Sequence, residues 1–162
     1  MNIMGIAGYS GSGKTTLVVR LIPEIRRRGL TVSTVKHTHH NVSIDKKDSV
    51  TRRLRDAGAI DVVIAADDHW ALMHEHRGAP EPSLDELVVR MKPVDILLVE
   101  GFKSHNHHKI EVHRPAADKP LLCTHDPHII AIATDAPLDA AALPRLDLNH
   151  IPSICDFIIE RM

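Results

Sequence analysis

Glycine, lysine and threonine at fixed spacing near the start of the chain set the chemistry: Gly8-Tyr9-Ser10-Gly11-Ser12-Gly13-Lys14-Thr15 satisfies the phosphate-loop pattern G-x-x-x-x-G-K-[ST], directly after an apolar run. Glycines at 8, 11 and 13 open backbone conformations closed to residues with a Cβ and let N–H groups approach a polyphosphate. Lys14 sets a positive charge against the terminal phosphates. Thr15 and Thr16 open the following helix, whose N-terminal dipole favours anions, and the Thr15 hydroxyl suits Mg²⁺. The plain alternative is a glycine turn between strand and helix, which needs neither the lysine nor the threonine.

A second chemical stretch is Asp95-Ile96-Leu97-Leu98-Val99-Glu100-Gly101. Four consecutive apolar residues describe a buried strand, and an acid at its carboxyl end fits the second carboxylate of a phosphate-loop nucleotidase, so Glu100 is the expected partner of Thr15 at Mg²⁺. Asp135 leaves another strand at the ligand-bearing edge, where it is either ligand-directed or a strand-end turn residue before Pro137. Asp48-Ser49 enters a helix, and Asp48 is read either as its cap or as a metal-directed acid. Nine of the thirteen histidines cluster at 37, 39 and 40, at 69, 74 and 76, and at 105, 107 and 108. They raise metal handling as a second reading, although helical i, i+4 ligand pairs and finger-type cysteine spacing are lacking; solvated loop histidines are the plainer one.

The elements that must position these residues follow from periodicity. Strands are expected over Met1–Ala7, Thr31–Val35, Asp61–Ala66, His69–His74, the run ending at Glu100, Lys109–His113 and His128–Ala133. Helices are expected from Lys14 to Arg28, Asp45 to Ala59, Ser83 to Met91 and Pro152 to Arg161, with Gly29 stopping the first and Ser83 capping the third. Arg26-Arg27-Arg28 complements the dipole of a last helical turn. Trp70 is expected to pack in its strand.

These 162 residues, 43% hydrophobic and 25% charged, suit one nucleotide-binding domain over 1–162 with one core. The formal net charge of −1 gives no global pull toward nucleic acid or anionic membrane, so neither is an expected partner. Cys123 and Cys155 lack metal spacing and read as buried thiols of a reducing compartment. With no basic-then-apolar leader and no run of bilayer length, a cytoplasmic location is expected. No internal repeat is present.

The chain resembles the MobB family, molybdopterin-guanine dinucleotide biosynthesis protein B, over nearly its whole length. The likeness rests on GYSGSGKTTL, Lys36-His37-Thr38-His39-His40, Asp48-Ser49 with Ala57-Gly58-Ala59, Trp70-Ala71-Leu72-Met73, Val99-Glu100-Gly101-Phe102-Lys103, and Ile132-Ala133-Thr134-Asp135 before Pro137. Lys46-Lys47-Asp48-Ser49 departs from the family pattern, which has a glycine before Lys-Asp-Ser.

That resemblance implies a phosphate-loop nucleotidase-like three-layer α/β fold with a mostly parallel central sheet, helices on both faces and a β-hairpin extension. It implies a homodimeric GTP-binding adapter that helps a partner guanylyltransferase attach GMP to molybdopterin, with molybdopterin itself a candidate ligand and at most weak GTP hydrolysis. Carried over residue by residue, positions 8 to 16 bind phosphates, Thr15 and Glu100 hold Mg²⁺ with Asp48 as a further ligand, and Lys14 and Asp48 are the catalytic candidates. Tyr9 stands where related ATPases carry an extra lysine, and the Asn-Lys-x-Asp base-reading motif is absent. Two other functions keep the same loop: a histidine-rich metallochaperone GTPase delivering nickel or zinc, and a small-molecule kinase, for which no arginine-rich lid segment is visible.

Overall fold

The computed structural model describes residues 1–38, 44–138 and 142–162. The chain divides into two compact units, residues 1–37 with 91–162, and residues 38–90.

The larger unit is built on a six-stranded sheet. Its strands are β1 (Asn2–Ala7), β2 (Val32–Lys36), β5 (Ile96–Glu100), β6 (Lys109–His113), β7 (Ile129–Thr134) and β8 (Arg145–Asp147), in the order β2-β5-β1-β6-β7-β8. Every pairing in it is parallel, as the α/β expectation requires. The chain moves from β1 to one side for β2 and β5 and to the other for β6, so the order reverses beside the carboxyl end of β1. Open sheets of this kind place ligands at that crevice.

One face of the sheet is apolar. Met4, Ile6, Ile96, Leu98, Ile110, Val112, Ala131 and Ala133 meet Leu17, Leu21 and Ile25 of α1 (Lys14–Arg27) and Ile154, Cys155 and Ile158 of α4 (Ile151–Ile159) in one cluster. The helical spacing of Leu17, Leu21 and Ile25 puts them on a single stripe. On the opposite face, Glu111 accepts the N–H groups of Leu122 (2.8 Å) and Cys123 (2.9 Å), holding the 3-10 turn Leu122–Thr124 against β6.

The smaller unit holds α2 (Val50–Asp56), the antiparallel hairpin of β3 (Asp61–Ala65) and β4 (Trp70–His74), and α3 (Leu84–Val89). Arg55 ties it together through ion pairs with Asp45 (3.0 Å) and with Glu75. Val62, Met73 and Leu84 are buried here, while Val63, Ile64, Trp70 and Leu72 are exposed.

Several expectations need correction. The second helix starts at Val50 rather than Asp45, and its cap is Ser49, whose hydroxyl accepts the Arg52 N–H at 3.2 Å; Asp48 is not the cap and takes a left-handed backbone, φ +69°. Trp70 is 68% exposed instead of packed. Cys123 is only partly buried, unlike Cys155. The short strand β8 lies where no element was expected, since three residues are too few to show a period. His39 and His40 lie outside the described residues. Among the described residues no helix is long and apolar enough to cross a membrane.

Candidate functional site

The loop leaves β1 through Gly8, whose φ of +145° already favours glycine. A Cβ there would stand 2.6 Å from the Val112 carbonyl oxygen and 2.6 Å from Ser12 Oγ, so no side chain passes. Gly13 (φ +101°) enters α1 without a side-chain cap, and the first turn of that helix has no acid. α3 shows the contrast: Ser83 and Glu86 close a reciprocal capping box over its first turn. A helix that does not cap itself keeps its leading N–H groups and dipole for an anion.

Lys14 is the first cation of the site. Its ammonium donates to the carbonyls of Gly8 (3.0 Å) and Tyr9 (2.8 Å), the two residues at the mouth of the loop. Burial pushes its pKa down, Glu100 pulls it up, and the ammonium groups of Lys103 and Lys36 push it down again. Crowded positive charge of this kind is relieved by an anion.

Parallel pairing sets Lys36 of β2 directly beside Glu100 of β5. Thr15 Oγ1 donates to Glu100 Oε2 at 2.8 Å, while Lys36 Nζ donates to Thr15 Oγ1 at 3.1 Å and lies 3.4 Å from Glu100 Oε1. A hydroxyl and a carboxylate oxygen thus converge on one cation, here an ammonium on an exposed, flexible stem. Two hard oxygen donors at a loop mouth are the protein's share of a Mg²⁺ shell, whose remaining positions go to phosphates and water, so the donor set fits a divalent cation once Lys36 swings aside.

Ser10, Gly11, Gly13, Lys14, Thr15, Thr16, Lys36 and Glu100 enclose a cavity of about 370 Å³. Gly8 and Ser12 shape the loop from beneath instead. Among the described residues the buried Ser12 hydroxyl has no hydrogen-bond partner, a polar atom left over inside the loop.

The other edge of the loop is braced from β6. Arg114 donates through Nε to the Ser12 carbonyl (3.1 Å) and forms an ion pair with Asp135 at the end of β7. Asp135 therefore reaches the loop through Arg114. Asp48 belongs to the smaller unit, away in sequence from every residue of this cavity. Lys36 and Arg114 were not singled out from sequence. Lys36 stood in the quoted run after the second strand, in register with the acid-bearing strand; Arg114 carries no local signal, because its contact with Ser12 spans 102 residues of chain.

Among the described residues His107 and His113 are buried, 8% and 6% exposed; His107 belongs to a cluster expected as solvated loop histidines, whereas His113 ends the strand β6. Among the described residues no three histidine, cysteine or acidic side chains form a metal-sized group.

The family model for MobB, molybdopterin guanine dinucleotide synthesis protein B, matches residues 3–135. A molybdopterin-guanine dinucleotide biosynthesis adapter protein of Haemophilus influenzae is 45% identical over 159 residues, covering 96% of this chain and 86% of the relative. Its counterpart from Escherichia coli is 39% identical over 163 residues, covering 99% and 93%. The crystal structure of a molybdopterin-guanine biosynthesis protein B superposes with a TM-score of 0.77 at 27% identity, covering 99% of both chains.

Proposed function

Because the chain belongs to the MobB family, we propose that it is the adapter that holds GTP with Mg²⁺ while a partner guanylyltransferase joins GMP to molybdopterin. The observation that carries the nucleotide half of this reading is the convergence of Lys14, Thr15, Lys36 and Glu100 on one cavity at an uncapped helix start. In that cavity the loop N–H groups and Lys14 hold the phosphates. Thr15 and Glu100 would hold Mg²⁺. Mg²⁺ supplies charge neutralisation across neighbouring phosphate oxygens. Lys14 exchanges its two loop carbonyls for phosphate oxygens, and any hydrolysis by this chain alone is slow.

Asp135 is the proposed reader of guanine. Arg114 orients its carboxylate at the loop edge, leaving lone pairs for the two N–H groups of the base. The exposed apolar side chains Val63, Leu72 and Trp70, which the cross-strand register sets on one face of the hairpin, support a homodimer, since contiguous apolar surface marks an association face. A cytoplasmic location fits a protein whose partner and substrates are soluble.

Dissociation constants for GTP and ATP, with and without Mg²⁺, test the reading. Lys14→Ala in a folded protein loses about 2 to 3 kcal/mol of GTP affinity, the worth of charge-assisted hydrogen bonds. Glu100→Gln weakens binding with Mg²⁺ more than without it. Asp135→Asn lowers the GTP-to-ATP preference. Unchanged affinity in Lys14→Ala rejects the nucleotide site, and an unchanged GTP-to-ATP ratio returns Asp135 to the role of a turn residue.

A further inference from the structure

Lys14 borders a second cavity, of about 80 Å³, on the far side of the loop; Gly8, Lys103, Lys109, Leu122 and Asp126 are among its walls. A water molecule takes up about 30 Å³ of liquid, so this space has room for about two or three, the scale of one small group rather than of a chain of phosphates.

Charge in this cavity does not balance. Three lysines face one carboxylate, and that carboxylate is already committed. Lys109, 2% exposed, donates to Asp126 at 2.8 Å and to the Lys103 carbonyl at 2.9 Å. Lys14 is held only by two loop carbonyls, and Lys103 has no ion-pair partner among the described residues. Glu100 is taken by Thr15 and Lys36 on the other side. Lys14 and Lys103 thus line one partly enclosed space in which no carboxylate among the described residues is uncommitted, an arrangement that a bound negative charge stabilises.

The walls are built rather than incidental. Glu111 holds the turn carrying Leu122 by two N–H bonds. The turn carrying Lys103 runs through Phe102 at φ +50°, a conformation that costs a residue with a Cβ, and the Phe102 ring is braced on His37 with centroids 4.7 Å apart. Strained backbone that is held in place by packing gathers at ligand sites.

We propose that this cavity is a second oxyanion site that takes the phosphate of a phosphomonoester between Lys14 and Lys103, beside the nucleotide and separate from it. The proposal rests on the nucleotide reading above, since Lys14 is shared by the two cavities. The loop cavity, more than four times larger, houses the nucleotide phosphates; the second one admits a single phosphate group with its ester carbon at the mouth.

The test titrates inorganic phosphate, and in a separate arm ethyl phosphate, into the full chain saturated with a non-hydrolysable GTP analogue and Mg²⁺, read by calorimetry. The expected result is saturable binding of both at one site per chain. Lys103→Gln weakens both by at least about tenfold while the GTP-analogue dissociation constant stays within about twofold, and Asp126→Asn, which removes the opposing charge, tightens them. The proposal is overturned by absent phosphate binding in the nucleotide-loaded protein, or by equal binding in Lys103→Gln. Binding of inorganic phosphate without ethyl phosphate also overturns it and assigns a free-phosphate site. A tenfold loss of GTP-analogue affinity with GDP affinity unchanged in Lys103→Gln gives the cavity to the third phosphate of the nucleotide. Should the wild-type chain bind no nucleotide, the nucleotide reading fails, and the same titration of the bare protein still decides the role of Lys103.

Discussion

The two faces of the six-stranded sheet are both buried, yet they are stabilised by different physics. β6 displays the contrast within five residues: Ile110 and Val112 join the apolar cluster under α1 and α4, whereas Lys109, Glu111 and His113 turn to the other side, all equally buried. On the first face any well-packed apolar volume serves. On the second, beside the buried Leu97, Val99 and Ile132, polar groups are matched to named partners, Lys109 to Asp126 and Glu111 to the turn at Leu122 and Cys123. Such matching is costly to leave incomplete and therefore specifies geometry. The face that carries these polar groups also carries the cavity behind the loop. Apolar substitutions should thus change stability alone, and polar-face substitutions should change pH dependence and local order as well.

The largest effect belongs to the apolar face. Leu21, fully buried between sheet and α4, is expected to cost about 2 to 5 kcal/mol as Leu21→Ala, through lost transfer energy and the cavity left behind. Urea unfolding at neutral pH measures it. GTP affinity of the folded variant should stay within about twofold of wild type, and its pH dependence of stability should be unchanged; a loss below about 1 kcal/mol would show this face loosely packed.

His107 gives the next effect and belongs to the polar face. Burial first, then the positive charges of Lys109 and His105, lowers its pKa to about 4, and its buried Nε2 has no hydrogen-bond partner among the described residues. The unfolded chain takes up the proton near the ordinary histidine value of about 6.5, so folding excludes a proton between that pH and about 4. Stability is full above this window and declines as pH falls through it, by at most about 3 kcal/mol. His107→Gln removes that slope. Unfolding free energies at pH 7.5, 6 and 5 decide the matter: an equally steep decline in the variant would place acid sensitivity elsewhere.

The different physics of the two faces also decides what was legible in the sequence. Periodicity exposes an apolar stripe, so Leu17, Leu21 and Ile25 and the strands beneath them could be read directly, and the loop at 8 to 15 follows from residue types at fixed spacing. β6 was read as a strand, but nothing local says that Lys109, Glu111 and His113 are buried, because their partners lie 11 to 17 residues away for the first two. Arg114 was invisible for the same reason. Trp70 misled in the other direction: hydrophobicity marks surface that wants a partner, and an exposed hairpin satisfies that as well as a core does. At Asp48-Ser49 two residues qualified as a cap, and only backbone geometry separates them.

Gly5 tests how tightly the polar face is assembled. A Cβ at this position would lie 2.5 Å from His107 Nε2 and 2.7 Å from Lys109 Cγ, so Gly5→Ala must displace the imidazole or the lysine stem. The expected cost is about 1 to 3 kcal/mol, the usual range for overpacking. Combining it with His107→Ala should recover at least about 0.5 kcal/mol of that cost, since neighbours sharing one space do not add. Strict additivity in the double variant would mean that the clash is absorbed by Lys109 alone.

The smallest effect is expected at Glu111, and it separates charge from shape on this face. Its carboxylate, 0% exposed, accepts two backbone N–H groups, those of Leu122 at 2.8 Å and Cys123 at 2.9 Å. Glu111→Gln keeps one acceptor oxygen and sets an NH₂ group against the second donor, which strands one buried N–H. Removing a buried charge offsets part of that penalty, so the net loss is about 1 kcal/mol. The loss should be local, because the bonds tie down one short turn rather than the sheet. Amide hydrogen exchange at Leu122 and Cys123 should quicken roughly fivefold, with exchange in β6 and β7 almost unchanged. Uniform acceleration across the sheet would instead make Glu111 a global stabiliser, and the turn it holds would no longer be a separately adjustable wall of the second cavity.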